Sequence, residues 1–372
     1  MTSGKQVMMI SKPIVPPWND SAKNIVKNQV VNGSRYTYRI MTTPDAPPVS
    51  SNAIHDPIYP NGGRYSAGIK QNIKVLFHGL RPRGTALYHY FFAPNKLSSS
   101  AGRVQRFTAG VKTVQTICSV PTSFDGARKL LFTDLAIVLS RDTERRFLEA
   151  GVERSRIRLI RPGIEPIPPP DSASRITTRR SFGIDKGPLV IFPGDYEFSL
   201  AAQTVASAAP MIIQDNPDAT IVFACRIKRA ASEAIQREIQ RELDPLGDQV
   251  KFINEVEDMP AFVGCADVVM LPSESLFAKM DVPLVLLEAM SQRVPLVLAD
   301  VPPLDEILET GAGVGVPPTD PDALAYAVTE LLSDGARRAS LGESGERAVN
   351  SLFSAQRMAE QVEDLYDEIL SE

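Results

Sequence analysis

A chain of 372 residues, 43% hydrophobic and 23% charged, is too long for one ordinary core and too apolar to be disordered, so two globular domains are expected. No apolar run approaches the roughly 18–20 residues that span a bilayer, and the short run Gln6–Ile10 ends at Ser11-Lys12-Pro13 without signal-peptide architecture. The formal net charge of −4 hides an asymmetry: residues 1–180 hold 27 Lys and Arg against 11 Asp and Glu, the remainder 13 against 33.

These quantities restrict function. The expected location is the cytoplasm, at most peripheral at the inner membrane face. Cys118, Cys225 and Cys265 are scattered, and His55, His78 and His89 lack ligand spacing, so no zinc site, disulfide framework or other metal is expected. The basic first half suits an anionic membrane face or a phosphorylated acceptor, or docking against the acidic half. Nucleic acid is not expected as a partner, because no recognisable reading motif accompanies the cations.

In chain order, short β-rich runs alternate with helical patterns, which predicts βαβ units and parallel sheets in an α/β fold. Strands are expected at Val7–Ser11, Tyr36–Thr42, Ile73–Phe77, Thr113–Ile117, Leu135–Leu139 and Ile157–Ile160. Helices are expected near Ser21–Val31, Ser123–Leu131 and Ser140–Ala150, the last with Ser140 and Asp142 as caps. Residues 44–68 read as a long polar loop, and Leu87–Phe92 as a buried aromatic helix or a membrane-interface segment. Residues 161–186, rich in Pro, Ser and Arg, read as an interdomain connection, with the linker proper at 171–186. The second half repeats the pattern, with strands at Leu189–Phe192, Thr220–Ala224, Val250–Ile253, Val268–Leu271, Pro295–Leu298 and Gly313–Val316. Helices at Ala201–Ile213, Ala230–Leu243 and Val285–Ser291 lie between them, and three more, the last Ala355–Leu370, close the chain.

Ligands of open parallel sheets bind beyond the carboxyl ends of the strands, so the loops there carry the candidates. Gly194 follows the first strand of the second half and allows either close backbone approach or merely a tight turn. Arg226, Lys228 and Arg229 follow the next strand; they suit a diphosphate, or else a solvated helix start. Pro283 fits the first turn of a helix whose amides could meet phosphate. Glu288, flanked by Leu286, Leu287, Ala289 and Met290, needs a polar partner such as the two hydroxyls of a ribose. In the first half, Trp18 stands with Asn19 and Asp20 after the first strand, either to stack on an acceptor or to anchor its loop.

The segment VPLVLLEAMSQRVPLVLADVPPLDEIL, followed by GAGVGVPPTDPDALAYAVTELL, resembles the signature of retaining glycosyltransferases of the group 1 type, family 4. DLAIVLSRDTERRFLEAGVERSRIRLIRPGIEP and KPIVPPWNDSAKNIVKNQV are similar to stretches of their N-terminal domain. The resemblance implies the GT-B fold: two Rossmann-like domains, at 1–170 and 187–354, facing across a cleft, with helix 355–372 crossing back to the first. It implies a UDP- or GDP-sugar held by the C-terminal domain, a sugar, lipid-linked or small-molecule acceptor held by the N-terminal domain, and metal-independent transfer with retention. Lys279, Val282, Pro283, Leu284 and Glu288 then fall on the donor side with Gly194, and Trp18, Asn19, Asp20 and Cys118 on the acceptor side.

The sequence also departs from that pattern. The family's two glutamates lie about eight positions apart, but eight before Glu288 stands Met280, with Asp281 displaced by one. Either Asp281 substitutes as a catalytic residue, or Lys279–Asp281 reshapes the loop so that Lys279 meets a phosphate or the sugar. The usual Arg and Lys after the first donor-domain strand are replaced by Asp195, Tyr196 and Glu197, which leaves Arg226 and Lys228 as the expected replacements. Cys118 stands where many members carry histidine. A degenerate nucleotide-sugar-binding or partner protein without turnover is therefore the alternative function.

Overall fold

The computed structural model describes residues 5–61, 68–93, 95–121, 123–227 and 229–371. The chain forms two compact units: 1–165, 278–281 and 353–372 in one, 166–277 and 282–352 in the other.

The first unit opens with β1 (Gln6–Ile10), α1 (Ser21–Asn32), β2 (Thr37–Thr42) and β3 (Ala53–Pro57). It continues through α2 (Ile69–His78), β4 (Thr85–Phe91), α3 (Lys96–Ala109) and β5 (Lys112–Thr116). α4 (Ala127–Leu130), β6 (Leu135–Val138), α5 (Arg141–Glu149) and β7 (Ile157–Leu159) complete its first pass. Its seven strands are all parallel, in the order β3-β2-β1-β4-β5-β6-β7.

The second unit begins with α6 (Ser172–Ser181), β8 (Leu189–Phe192), α7 (Ala201–Asp215), β9 (Thr220–Phe223) and α8 (Ala230–Leu243). Next come β10 (Val250–Phe252), α9 (Met259–Val263), β11 (Val268–Leu271), α10 (Leu284–Ser291) and β12 (Leu296–Ala299). α11 (Asp305–Leu308), β13 (Gly313–Val316), α12 (Pro321–Ser333) and α13 (Gly335–Leu352) end it. Its sheet is also parallel, in the order β10-β9-β8-β11-β12-β13. Every residue of β8, β11 and β12 is buried. Strands covered on both faces have no polar side, which is why each reads as an unbroken apolar run.

Four local expectations are overturned. Ile73–Phe77, expected as a strand, lies inside α2. Five apolar-rich residues carry no period of their own, and the flanking Ile69–Asn72 and His78 extend them into a helix. Leu87–Phe92, expected as a helix or an interface segment, supplies most of β4, which runs between β1 and β5 with Tyr88, His89 and Tyr90 buried. Aromatic residues suit such a strand. The supposed loop at 44–68 contains the edge strand β3, where terminal Pro57 costs no ladder bond; residues 62–67 lie outside the described residues. The supposed linker 171–186 carries α6, N-capped by Asp171, whose Arg175 reaches Asp267 at 2.9 Å.

Two helices differ in length or were not foreseen. The helix expected over Ser123–Leu131 shortens to α4, entered through Gly126 at φ 68°. α3 went unread because Ser98–Ser100 obscure its start, yet Asn95 and Ser98 form a reciprocal capping box there.

After α13 the chain returns to the first unit as α14 (Ala355–Ser371). The return is fixed where Ile164 and Ser354 pair and Gly163 lies flat against the Ser354 carbonyl, which a Cβ would approach to 2.3 Å. On α14, Tyr366 accepts from the Gln29 amide at 2.6 Å, so its own proton points to His89 Nδ1 at 2.5 Å. That leaves His89 Nε2–H to donate to Thr116 at 2.7 Å. The ring is fully buried and neutral, its pKa pushed down to about 3 by desolvation. An unfolded chain takes up a proton near 6.5, which the folded ring refuses. Stability should therefore fall as pH drops from 6.5 toward 3, by on the order of 2 kcal/mol near pH 5. His89→Leu should melt lower at pH 7.5 and show a shallower acid limb; an unchanged limb in pH-dependent melting curves would assign the acid loss elsewhere.

Candidate functional site

In each sheet the strand order reverses once, between β1 and β4 in the first unit and between β8 and β11 in the second. Chain leaves the two central strands there in opposite directions, and the gap beyond their carboxyl ends is where a ligand fits. In the second unit the residues bordering that gap are 193–200, after β8, and 272–277 with 282–283, after β11. They include Gly194, Val282 and Pro283 of the donor residues expected from sequence.

The two loops are tied together. Ser199 and Ser273 share a hydrogen bond of 3.1 Å, and the Leu200 amide donates to both oxygens of Glu274 at 2.8 and 3.1 Å. Leu200 is the N-cap position of α7, so Glu274 occupies the positive end of that helix. Within loop 193–200, Asp195 accepts from the amides of Glu197 and Phe198. Gly194 has a packing reason to be glycine, since a Cβ would fall 2.1 Å from the Phe192 ring. Neither Glu274 nor Ser273 was legible as a site residue, because their partners lie 74 residues away.

The next helix N-terminus is different. α10 starts at Leu284 with Pro283 at its N-cap, one place earlier than expected, and no side chain caps it among the described residues. Pro283 carries no N–H, and the amides of Leu284 and Val285 open the helix. The side chains of Val282 and Leu284 are buried, so any contribution they make to a ligand comes from the backbone. Glu288 lies one turn further along, partly buried, in an otherwise apolar helix.

The cationic run after β9 divides. Arg226 is exposed and forms no ion pair among the described residues; Lys228 lies outside them. Arg229, by contrast, is engaged: its guanidinium is 3.1 Å from Glu197 and 4.9 Å from the Phe198 ring. Glu197 in turn accepts from Ser232 at 2.7 Å. An acid in the loop after β8 is thus neutralised by a cation from the loop after β9.

Segment 278–281 belongs to the first unit. The Lys279 carbonyl accepts from the Val120 amide at 3.0 Å. Asp281, expected to substitute for a missing glutamate, is only 1% exposed and accepts from Ser140 Oγ at 2.7 Å. Ser140 also accepts from the Thr143 amide at 3.0 Å, so the predicted cap of α5 holds this carboxylate as well. The geometry makes Asp281 a loop anchor.

The acceptor-side residues gather after β1. Asp20 N-caps α1 and pairs with Lys12 at 2.6 Å. Lys23 and Lys27 stand over the Trp18 ring at 5.6 and 5.2 Å, and burial lowers the Lys23 pKa despite nearby Asp20. Trp18 thus carries two cations on its face, and Asn19 is exposed beside it. Cys118 is buried beyond β5, its thiol pushed up to about 12 by desolvation, so it stays protonated and serves as packing. Among the described residues no group of three or more His, Cys, Asp or Glu converges on a metal site.

Comparison with known proteins gives a family match: residues 187–334 match the family model "Glycosyl transferases group 1". The chain is 25% identical over 258 residues to a GDP-mannose-dependent monoacylated alpha-(1-6)-phosphatidylinositol monomannoside mannosyltransferase of Corynebacterium glutamicum, covering 66% of this chain and 65% of that one. It is 26% identical to an alpha-D-kanosaminyltransferase of Streptomyces kanamyceticus over 53% of this chain and 50% of the relative. The matches therefore span about half to two thirds of these curated relatives. Among solved structures, a sucrose-phosphate synthase from Thermosynechococcus elongatus superposes with a TM-score of 0.77 at 20% identity, over 99% of both chains. Anabaena HepE in complex with UDP-glucose superposes with a TM-score of 0.75 at 15% identity, over 98% of this chain and 99% of that one.

The Ser140–Asp281 bond yields a stability test. Ser140→Ala removes a helix cap and a hydrogen bond to a buried carboxylate, an expected loss of about 2–4 kcal/mol. Thermal or urea unfolding measures it, and a change below about 0.5 kcal/mol would show that neither bond contributes.

Proposed function

We propose, from the premise that this chain belongs to the group 1 glycosyltransferases and carries their GT-B fold, that it transfers a hexose from a UDP- or GDP-sugar to an acceptor hydroxyl with retention of configuration. The observation that carries the reading is the uncapped N-terminus of α10, standing beyond the carboxyl end of β11 at the strand-order reversal. Amides of Leu284 and Val285, together with the helix dipole, form a seat for a diphosphate without any side chain. Relatives named as GDP-mannose-dependent or as binding UDP-glucose support a nucleotide-sugar donor.

In this mechanism Glu288 accepts from the ribose hydroxyls, while Arg226 and Lys228 neutralise the diphosphate, with Lys279 as a further cation. The acceptor oxygen forms its bond to the anomeric carbon as the bond from that carbon to the phosphate oxygen breaks. The acceptor proton passes to the departing phosphate oxygen, so no protein base is consumed and no metal is required. The chain's own work is positioning and charge neutralisation. Asp281 acts indirectly, by holding loop 278–281 through Ser140. The acceptor, a sugar, a lipid-linked sugar or a small molecule, is taken by the first unit near Trp18, Asn19 and Asp20.

One observation favours a second reading, binding without turnover. Loop 193–200 carries Glu197 where its relatives' pattern has cations, and Arg229, which would help a diphosphate, is already paired to it. A single experiment separates the two. In a thermal-shift panel of UDP- and GDP-sugars, one donor should raise the melting temperature, and release of its nucleoside diphosphate should follow. Arg226→Ala with Lys228→Ala should slow that release about 100-fold. Donor binding with no release for any acceptor would establish the second reading; no stabilisation by any nucleotide sugar would sink both. Glu288→Gln should weaken donor affinity about tenfold, and unchanged affinity would remove its ribose role.

A further inference from the structure

Between Asp56 and Asp125 the sequence holds nine Lys and Arg and no acid. This stretch includes α2 and α3, which lie side by side. α3 turns Ser99, Gly102 and Gln105 inward, and the Gln105 amide donates to the carbonyls of Val75 and Leu76 in the last turn of α2. The outward faces are apolar. On α3, Leu97, Val104 and Phe107 follow at helical spacing and are 72%, 50% and 89% exposed; on α2, Ile73 and Phe77 are 45% and 65% exposed. Single exposed apolar residues need no explanation, but five on two adjoining helices do. Exposed Lys74, Lys96 and Arg103 stand among them.

Phe107 also lines a concavity of about 820 Å³. Its two acids are already matched, Asp134 by Arg106 and Glu368 by Arg158, which leaves Arg103, Lys112 and Arg156 as a net positive lining.

We propose that the outer face of α2 and α3 seats the protein on an anionic lipid bilayer. The apolar side chains enter the headgroup boundary, their neighbouring cations meet lipid phosphates, and one headgroup occupies the concavity beside Phe107. The charge pattern selects this occupant. A second copy would bring the same acid-free surface against itself, a like-charge contact. No helix among the described residues is long and apolar enough to cross a membrane, so the contact is peripheral. The inference does not rest on the transferase reading, and its test requires no turnover.

Co-sedimentation of the full chain with phosphatidylcholine vesicles, with and without phosphatidylglycerol, provides that test. Binding to the anionic vesicles should be at least about tenfold stronger and should weaken steeply with added salt. Phe77→Ser with Phe107→Ser, and separately Lys74→Glu with Arg103→Glu, should each lower it about tenfold while leaving the melting curve unchanged. Equal retention on neutral and anionic vesicles, or wild-type retention of both double variants, would overturn the proposal. So would a concentration-dependent dimer, dispersed by Phe107→Ser, in a protein that ignores vesicles.

Discussion

The polarity of the parallel sheet is the constraint from which the rest follows. When every strand runs the same way, all the loops leaving strand ends collect at one edge, and the helices that follow point their positive ends toward it. A single reversal of strand order then opens a gap at that edge. In the second unit this gap lies between β8 and β11, and it decides which loops matter: 193–200, 272–277 with 282–283 and, beside them, the run after β9. None of those loops would meet in an antiparallel sheet of the same strands.

Charge within this edge is arranged unusually for the family the sequence resembles. Acids occupy two places where phosphate would otherwise find help: Glu274 on the N-cap amide of Leu200, before α7, and Glu197 in the loop after β8. Both are held, one by backbone and one by Arg229 and Ser232. The open positive end is that of α10, and the open cation among the described residues is Arg226. In the proposed reading, anion recognition would rest on backbone amides, which cannot be removed by a side-chain substitution.

The first unit is organised by its last helix. Arg35 meets Glu363, Asp364 and Asp367 on α14 with its side chain 40% exposed, so solvent weakens that cluster. The buried contact is the run Gln29–Tyr366–His89–Thr116, which links α1, α14, β4 and β5 through three consecutive hydrogen bonds. A neutral imidazole at the centre of a sheet explains why this histidine has no part in chemistry at the strand ends.

What the sequence determined by itself was whatever repeats locally. Strands β8, β11 and β12 were legible because strands buried on both faces are short apolar runs, and α10 with Pro283 and Glu288 was legible because a helix start has its own residue preferences. Ser140 was readable as a cap for the same reason. Tertiary structure decided everything that depends on a distant partner. Ile73–Phe77 and Leu87–Phe92 are both apolar, and only the sheet settled that the second is its central strand while the first is a helix with Phe77 exposed. Asp281 became an anchor because Ser140, 141 residues away, lies beside it. Periodicity is a property of neighbours along the chain; burial and pairing are set by what arrives from elsewhere, and no local pattern encodes that arrival.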